Sequence, residues 1–175
     1  MEQLKKILII GFSGSGKTTL ADRLGGKLGL PVIHVDDRCF DSNHRMKPVD
    51  EVVKIISEAC SGDKWIIEGI YQHRAEQFID KADLLILIDV GFFTNTKNVI
   101  LRKLKHIFRL SNNIQERAKK RIHLVNIRRI WTNRSGYRKN WFDLINKNKD
   151  SFKFIKIKKV NKKTTSAIIE KLNNM

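Results

Sequence analysis

Four short aliphatic runs punctuate the chain, and each stops at a glycine or an acid. Leu4 to Ile10 stops at Gly11, Val32 to Val35 at Asp36, Lys64 to Ile67 at Glu68, and Leu84 to Ile88 at Asp89. Apolar runs of this length predict buried strands. A fifth segment, Phe152 to Ile157, alternates apolar and basic residues and predicts an edge or partly exposed strand. Between them the period lengthens. Leu20, Leu24 and Leu28 recur every fourth residue and predict a helix over Thr18 to Leu28, ending near Gly29. Val49 to Ala59 predicts another, Thr94 to Leu110 and Gln115 to Trp131 two long basic ones, and Thr164 to Leu172 the last. Strands alternating with helices predict an α/β fold, a parallel sheet covered on both faces. Such sheets bind ligands at the carboxyl ends of their strands. Gly11, Asp36, Glu68 and Asp89 all fall there.

A length of 175 residues suits one domain with its own core, and no internal repeat or Pro/Gly/Ser linker divides it. No apolar run nears the roughly 18 residues of a membrane span, and Ile7 to Ile10 is too short for a signal-peptide core. Cys39 and Cys60 lack metal-ligand spacing, so a reduced cytoplasmic protein is expected, with no membrane association. The net charge of +17 is lopsided: residues 1–91 carry 12 Lys/Arg against 14 Asp/Glu, whereas residues 92–175 carry 23 against 4. A basic half of that kind points to phosphate-rich partners.

The strongest chemical signal is Gly11-Phe12-Ser13-Gly14-Ser15-Gly16-Lys17-Thr18, which fits G-x-x-x-x-G-K-[ST] between a strand and a helix. Glycines let backbone N–H groups turn inward around a phosphate, and the new helix adds unpaired N–H groups and the positive end of its dipole. Lys17 is expected at the β- and γ-phosphates and the Thr18 hydroxyl at Mg²⁺. Gly11, Ser13, Gly14, Ser15, Gly16, Lys17, Thr18 and Thr19 are thus the expected ATP contacts. Glu68 is a candidate for the Mg²⁺ water shell. Asp36, on the acceptor side, is a candidate general base. Asp37 and Asp41 read as solvated. No guanine-reading N-K-x-D is present, and His34, His44, His73, His106 and His123 are scattered and read as structural or solvated.

Phosphoryl transfer gathers charge on the moving group, and arginines that close over it stabilise that charge. Arg134 and Arg138 are four apart and share a face on a helix. Arg128 and Arg129 lie about two turns earlier, and Arg102 sits on the helix after Asp89, so residues 92–141 are expected to form a helical lid. Trp131 and Trp141 read as packing beneath it.

Together these segments resemble the adenylate-kinase-like P-loop kinases, and more closely the bacterial DNA topology modulation protein (FlaR-type) group. The likeness rests on the loop, on Leu28-Gly29-Leu30-Pro31-Val32-Ile33-His34-Val35-Asp36, on Trp65 to Tyr71, on Ala82 to Asp89 and on Trp131 to Arg138. It implies a single P-loop kinase-like domain over 1–175, a five-stranded parallel sheet in the order 2-3-1-4-5, and an arginine lid after strand four. Position by position, it implies that Lys17 and Thr18 serve the phosphates and Mg²⁺, that Glu68 takes the acid position of a D-G motif, and that Arg102, Arg134 and Arg138 contact phosphates. Several positions depart from the group. Glu68 replaces an Asp, Gly91-Phe92 a Pro-Arg, and Asn98 an arginine against the donor base; Gly69 is followed by Ile70-Tyr71-Gln72-His73-Arg74 instead of G-F-P-R. The expected function is transfer of the γ-phosphoryl of ATP, with Mg²⁺, to a small acceptor, a nucleotide or nucleoside first among them, held between Asp36, Tyr71 and Arg74. The alternative is an ATP-dependent nucleic-acid-binding protein using the basic C-terminal half.

Overall fold

The computed structural model describes residues 4–39, 41, 47–69, 79–109 and 123–173. Strands β1 (Lys6–Gly11), β2 (Val32–His34), β3 (Trp65–Glu68), β4 (Leu84–Ile88) and β5 (Lys153–Ile157) form one sheet in the order β2-β3-β1-β4-β5. Every neighbouring pair is parallel. The helices are α1 (Lys17–Leu28), the short α2 (Val35–Arg38), α3 (Val49–Ala59), α4 (Phe92–Arg109), α5 (His123–Lys147) and α6 (Lys162–Asn173).

Two-residue alternation splits the strand residues between two cores. Leu8, Ile10, Trp65, Ile67, Leu85 and Leu87 face a core closed by Val52 and Ile56 of α3 and by Trp141, Leu144 and Ile145 of α5. Ile7, Ile9, Ile66, Leu84, Ile86 and Ile88 face the opposite core, closed by Leu20, Ala21 and Leu24 of α1 and Ile168 of α6. The continuous aliphatic runs are therefore strands covered on both sides. The expected α/β fold and the expected order of the five-stranded parallel sheet are the observed ones; the expected start of a helix at Gln115 lies outside the described residues.

Register is set at both ends of the central strand. At the amino end, the Asp83 carboxylate accepts hydrogen bonds from the backbone N–H groups of Lys5 and Lys6, both at 2.8 Å, which fixes β1 beside β4. At the carboxyl end, Ile9 pairs with Glu68 and Gly11 with Ile88, while His34 pairs with Glu68. The tips of β1, β2, β3 and β4 therefore end along one edge.

Local boundaries differ from expectation in instructive ways. Strand β2 stops at His34, and Val35 buries itself as the first residue of a single helical turn; Asp36 belongs to that turn and not to a strand tip. Helix α5 runs to Lys147, well beyond Trp131. It crosses Gly136 because Trp141, Leu144 and Ile145 anchor the far half in the core. Neither Cys39 nor Cys60 is in a disulfide, and both are buried in the α3-side core. Among the described residues, no helix is long and apolar enough to cross a membrane.

Helix α1 meets the sheet closely at Gly25. A Cβ there would come within 2.3 Å of Val32 Cγ2 and 3.0 Å of the Leu30 carbonyl, whereas a Cβ at Gly26 would meet nothing within 4 Å. Propensity alone favours Ala at both sites by about 1 kcal/mol. Gly26→Ala is expected to raise stability by about 0.5–1 kcal/mol, and Gly25→Ala to lower it by about 1–3 kcal/mol through overpacking. Denaturant unfolding of the two variants checks this; equal effects would contradict the close packing.

Candidate active site

At the tip of β1 the chain turns through the glycine loop into α1. Gly14 has φ 76° and Gly16, the N-cap of α1, has φ 95°, both in the left-handed region that glycine tolerates best. Gly14 is also crowded: a Cβ would lie 2.7 Å from Val99 Cγ2 and 2.8 Å from the Asn95 carbonyl. The Asn98 side-chain amide donates to the Gly14 carbonyl at 2.9 Å. Helix α4 thus braces the loop, and Asn98 is engaged with loop backbone.

Phe12 anchors the loop from the other side. It is buried, its ring centroid 4.6 Å from that of Trp141, and the Arg134 guanidinium lies 4.5 Å over its face. Trp141 is a core residue, as expected; the side chain of Trp131 lies outside the described residues. Lys17 Nζ donates to the Phe12 carbonyl at 3.3 Å, folded over the loop. Ser15 Oγ is buried with no partner among the described residues, and the first N–H groups of a helix have no partner within it.

Glu68, buried at the tip of β3, is joined to the start of α1. The Thr18 hydroxyl donates to Glu68 Oε1 at 3.0 Å. The same oxygen lies 2.9 Å from His34 Nδ1, whose other nitrogen lies 3.4 Å from Asp22 Oδ1. His34, which reads as structural or solvated in the sequence, is hydrogen-bonded beside Thr18 and Glu68. The available signal was its position at the end of a parallel strand.

The expected arginines dock at the tip of β4. Arg134 and Arg138 share one face of α5: Arg134 Nη2 donates to the Val90 carbonyl, and Arg138 Nη2 donates to Asp89 Oδ2 at 2.9 Å. Lys156 of β5 approaches the same oxygen at 3.2 Å and reaches over the Phe142 ring. Burial pushes the Arg134 guanidinium below its ordinary value, against the pull of the Asp89 charge. The sequence places Asp89 at the ligand-binding edge but gives no signal for Lys156 or for the pairing, because a carboxylate closing a strand does not name its partners. Arg102 is exposed on α4, one turn beyond Asn98. Ser13 and Gly16 are half-buried, and Thr18 and Thr19 exposed, at the mouth of the loop. The side chains of Asp36, Arg128 and Arg129, and all of Tyr71 and Arg74, lie outside the described residues.

The donors present suit a nucleoside triphosphate and Mg²⁺. Thr18 and Glu68 offer hard oxygen ligands, and no group of three His, Cys, Asp or Glu able to hold a metal occurs among the described residues. Mg²⁺ ordinarily takes one or two protein oxygens and completes its shell with water and phosphate, which is what two such donors beside a phosphate cradle can supply.

No family model matches the chain, and no curated protein matches it. Solved structures do. Shikimate kinase from Acinetobacter baumannii, in complex with shikimate, is similar over 99% of this chain and 95% of its own, with a TM-score of 0.60 and 14% identity. Shikimate kinase from Bacteroides thetaiotaomicron is similar over 98% and 97%, with a TM-score of 0.59 and 12% identity. Deoxyadenosine kinase from M. mycoides is similar over 97% and 100%, with a TM-score of 0.50 and 16% identity. At such identities the likeness shows the fold, a P-loop kinase-type α/β sheet.

Asp89 leaves a signature in acid. Burial raises its carboxyl, but hydrogen bonds and charge from Arg138 and Lys156 outweigh burial, so it lies below its ordinary value. The resulting stabilisation is complete above the unfolded-state value of about 4 and is lost as pH falls through the lower folded value. Asp89→Asn is expected to cost about 1–2 kcal/mol at neutral pH, a modest figure because Arg138 is half-exposed. The gap from wild type should close below about pH 4. Urea unfolding across that range checks this, and a gap unchanged in strong acid would contradict it.

Proposed function

We propose that the chain is an ATP-dependent phosphotransferase acting on a small acceptor. The observation that carries this reading is the Gly11–Thr18 loop at the centre of the sheet, tied to Glu68 through Thr18 and overlain by Arg134 at Phe12. The neighbours of like fold, named shikimate kinase and deoxyadenosine kinase, support the reaction class.

In this reading the loop N–H groups, Ser13, Ser15, Thr19 and Arg102 bind the ATP phosphates, and Lys17 exchanges its hold on the Phe12 carbonyl for the β- and γ-phosphates. Thr18 and Glu68 would hold Mg²⁺, which when bound would supply charge neutralisation and orientation of the phosphates. An acceptor oxygen attacks the γ-phosphorus in line, the bond to the bridging oxygen breaks, and ADP leaves. A hydroxyl acceptor would give its proton to Asp36; a phosphate acceptor needs no base. Arg134 and Arg138 stabilise the charge on the moving group. Residues 92–141 act as a lid over a single domain spanning 1–175, and the reaction takes place in the cytoplasm. A nucleotide or nucleoside is the preferred acceptor, in keeping with the resemblance to the adenylate-kinase-like and topology modulation protein group. Nucleic-acid binding by the basic half rests on charge alone, and steep weakening with salt would be its signature.

The test is ADP release from Mg·ATP across nucleoside monophosphates, nucleosides, small hydroxylated metabolites and DNA. One small acceptor is expected to stimulate turnover, and Lys17→Ala to reduce it by at least about 10²-fold without unfolding the protein. Turnover retained in Lys17→Ala would overturn the reading. Stimulation by DNA alone would favour a nucleic-acid-binding switch.

A further inference from the structure

Asp89 sits where three cations converge. Its position is set by the sheet, because its backbone N–H continues the β4–β5 ladder by donating to the Ile157 carbonyl at 2.9 Å. Its side chain is almost fully buried and offers Oδ2 both to Arg138 at 2.9 Å and to Lys156 at 3.2 Å. The next residue, Val90, receives Arg134. Arg138 is held through Nη2, and its side chain remains 45% exposed. One nitrogen of the guanidinium is thus pinned to the sheet while the side chain as a whole stays close to half open to solvent. Left to themselves, two arginines one helical turn apart with a lysine facing them would repel. A buried carboxylate at the tip of β4 reverses the sign of that contact.

We propose that Asp89 is a positioning residue: it fixes the Arg138 guanidinium against the tip of β4, with Lys156 as its second anchor, so that the free edge is already oriented for a phosphoryl group. This rests on the assignment of Arg138 to the transferring phosphate. Asp89 itself touches neither ATP nor acceptor and acts through Arg138. A flexible arginine must be ordered during each turnover, whereas a pinned one is ordered beforehand, and the difference falls on kcat more than on KM. Lys156 keeps Asp89 paired if Arg138 shifts toward the ligand.

Two measurements test this. The first needs no turnover. In ¹⁵N NMR of the wild-type protein, the Arg138 guanidinium, assigned by its loss in Arg138→Lys, is expected to show restricted rotation, with distinct Nη signals. Averaged signals like those of a free arginine would overturn the proposal whatever the reaction proves to be. The second is a double-mutant cycle on kcat with the acceptor that supports turnover. Asp89→Asn is expected to lower kcat about 10–100-fold with KM for ATP changed less than about 3-fold. In an Arg138→Ala background Asp89→Asn should lower kcat no further, and Asp89→Glu should recover part of the loss. Full additivity of the two substitutions would overturn the proposal. A parallel rise in KM and fall in Tm that accounts for the lost rate would also overturn it, by making Asp89 merely structural. If wild-type turnover itself proves independent of Lys17, the phosphotransfer reading fails, while the NMR result still decides whether Asp89 pins Arg138.

Discussion

Everything at this site depends on the parallel register of β1 between β3 and β4. Ile9 opposite Glu68 and Gly11 opposite Ile88 bring the loop, the acid and the tip of β4 to one edge. A slip of one residue would turn every side chain on β1 to the other face, sending Leu8 and Ile10 into the α1 core and Ile7 and Ile9 into the α3 core. Asp83 guards against that slip from the far end, by pairing with the N–H groups of Lys5 and Lys6. The sheet is therefore both the source of stability, through two dry cores, and the ruler that spaces the chemistry.

On that edge, the polar groups form two clusters, each around one buried carboxylate, Glu68 or Asp89. Thr18, Glu68, His34 and Asp22 tie α1 to β3 and β2. Asp89, Arg138, Lys156 and Arg134 tie α5 to β4 and β5. The glycine loop lies between them, with Phe12 packed on Trp141 beneath Arg134 and Asn98 of α4 bonded to Gly14. Buried charges are tolerated only when paired and hydrogen-bonded, and the pairing at Asp89 also ties two basic residues of the C-terminal half to the tip of β4. Part of the excess positive charge thus has an internal destination.

Much of this architecture is legible in the sequence because its signals are local. Leu84 to Ile88 and Val49 to Ala59 match the observed strand and helix residue for residue, since unbroken apolar runs and four-residue spacing leave little choice. The loop is legible because its chemistry is encoded in consecutive residues. What escapes is non-local. His34 joins Glu68 across 34 positions and Asp89 joins Arg138 across 49, and no spacing rule connects either pair. The end of β2 escapes because Val35 satisfies a core equally well as a strand or as a helical residue. The full reach of α5 is obscured by Ser135-Gly136, a pair that weakens helix propensity but sits between two anchored stretches.

The central claim is that this edge moves a phosphoryl group from ATP to a second molecule. ³¹P NMR of Mg·ATP with the protein and the acceptor panel tests it most directly, because it reports where the phosphorus goes. The account predicts loss of the γ-phosphorus signal matched by a new phosphorylated-acceptor resonance and by ADP. ATP left intact with every acceptor, or converted only to ADP and inorganic phosphate, would contradict it.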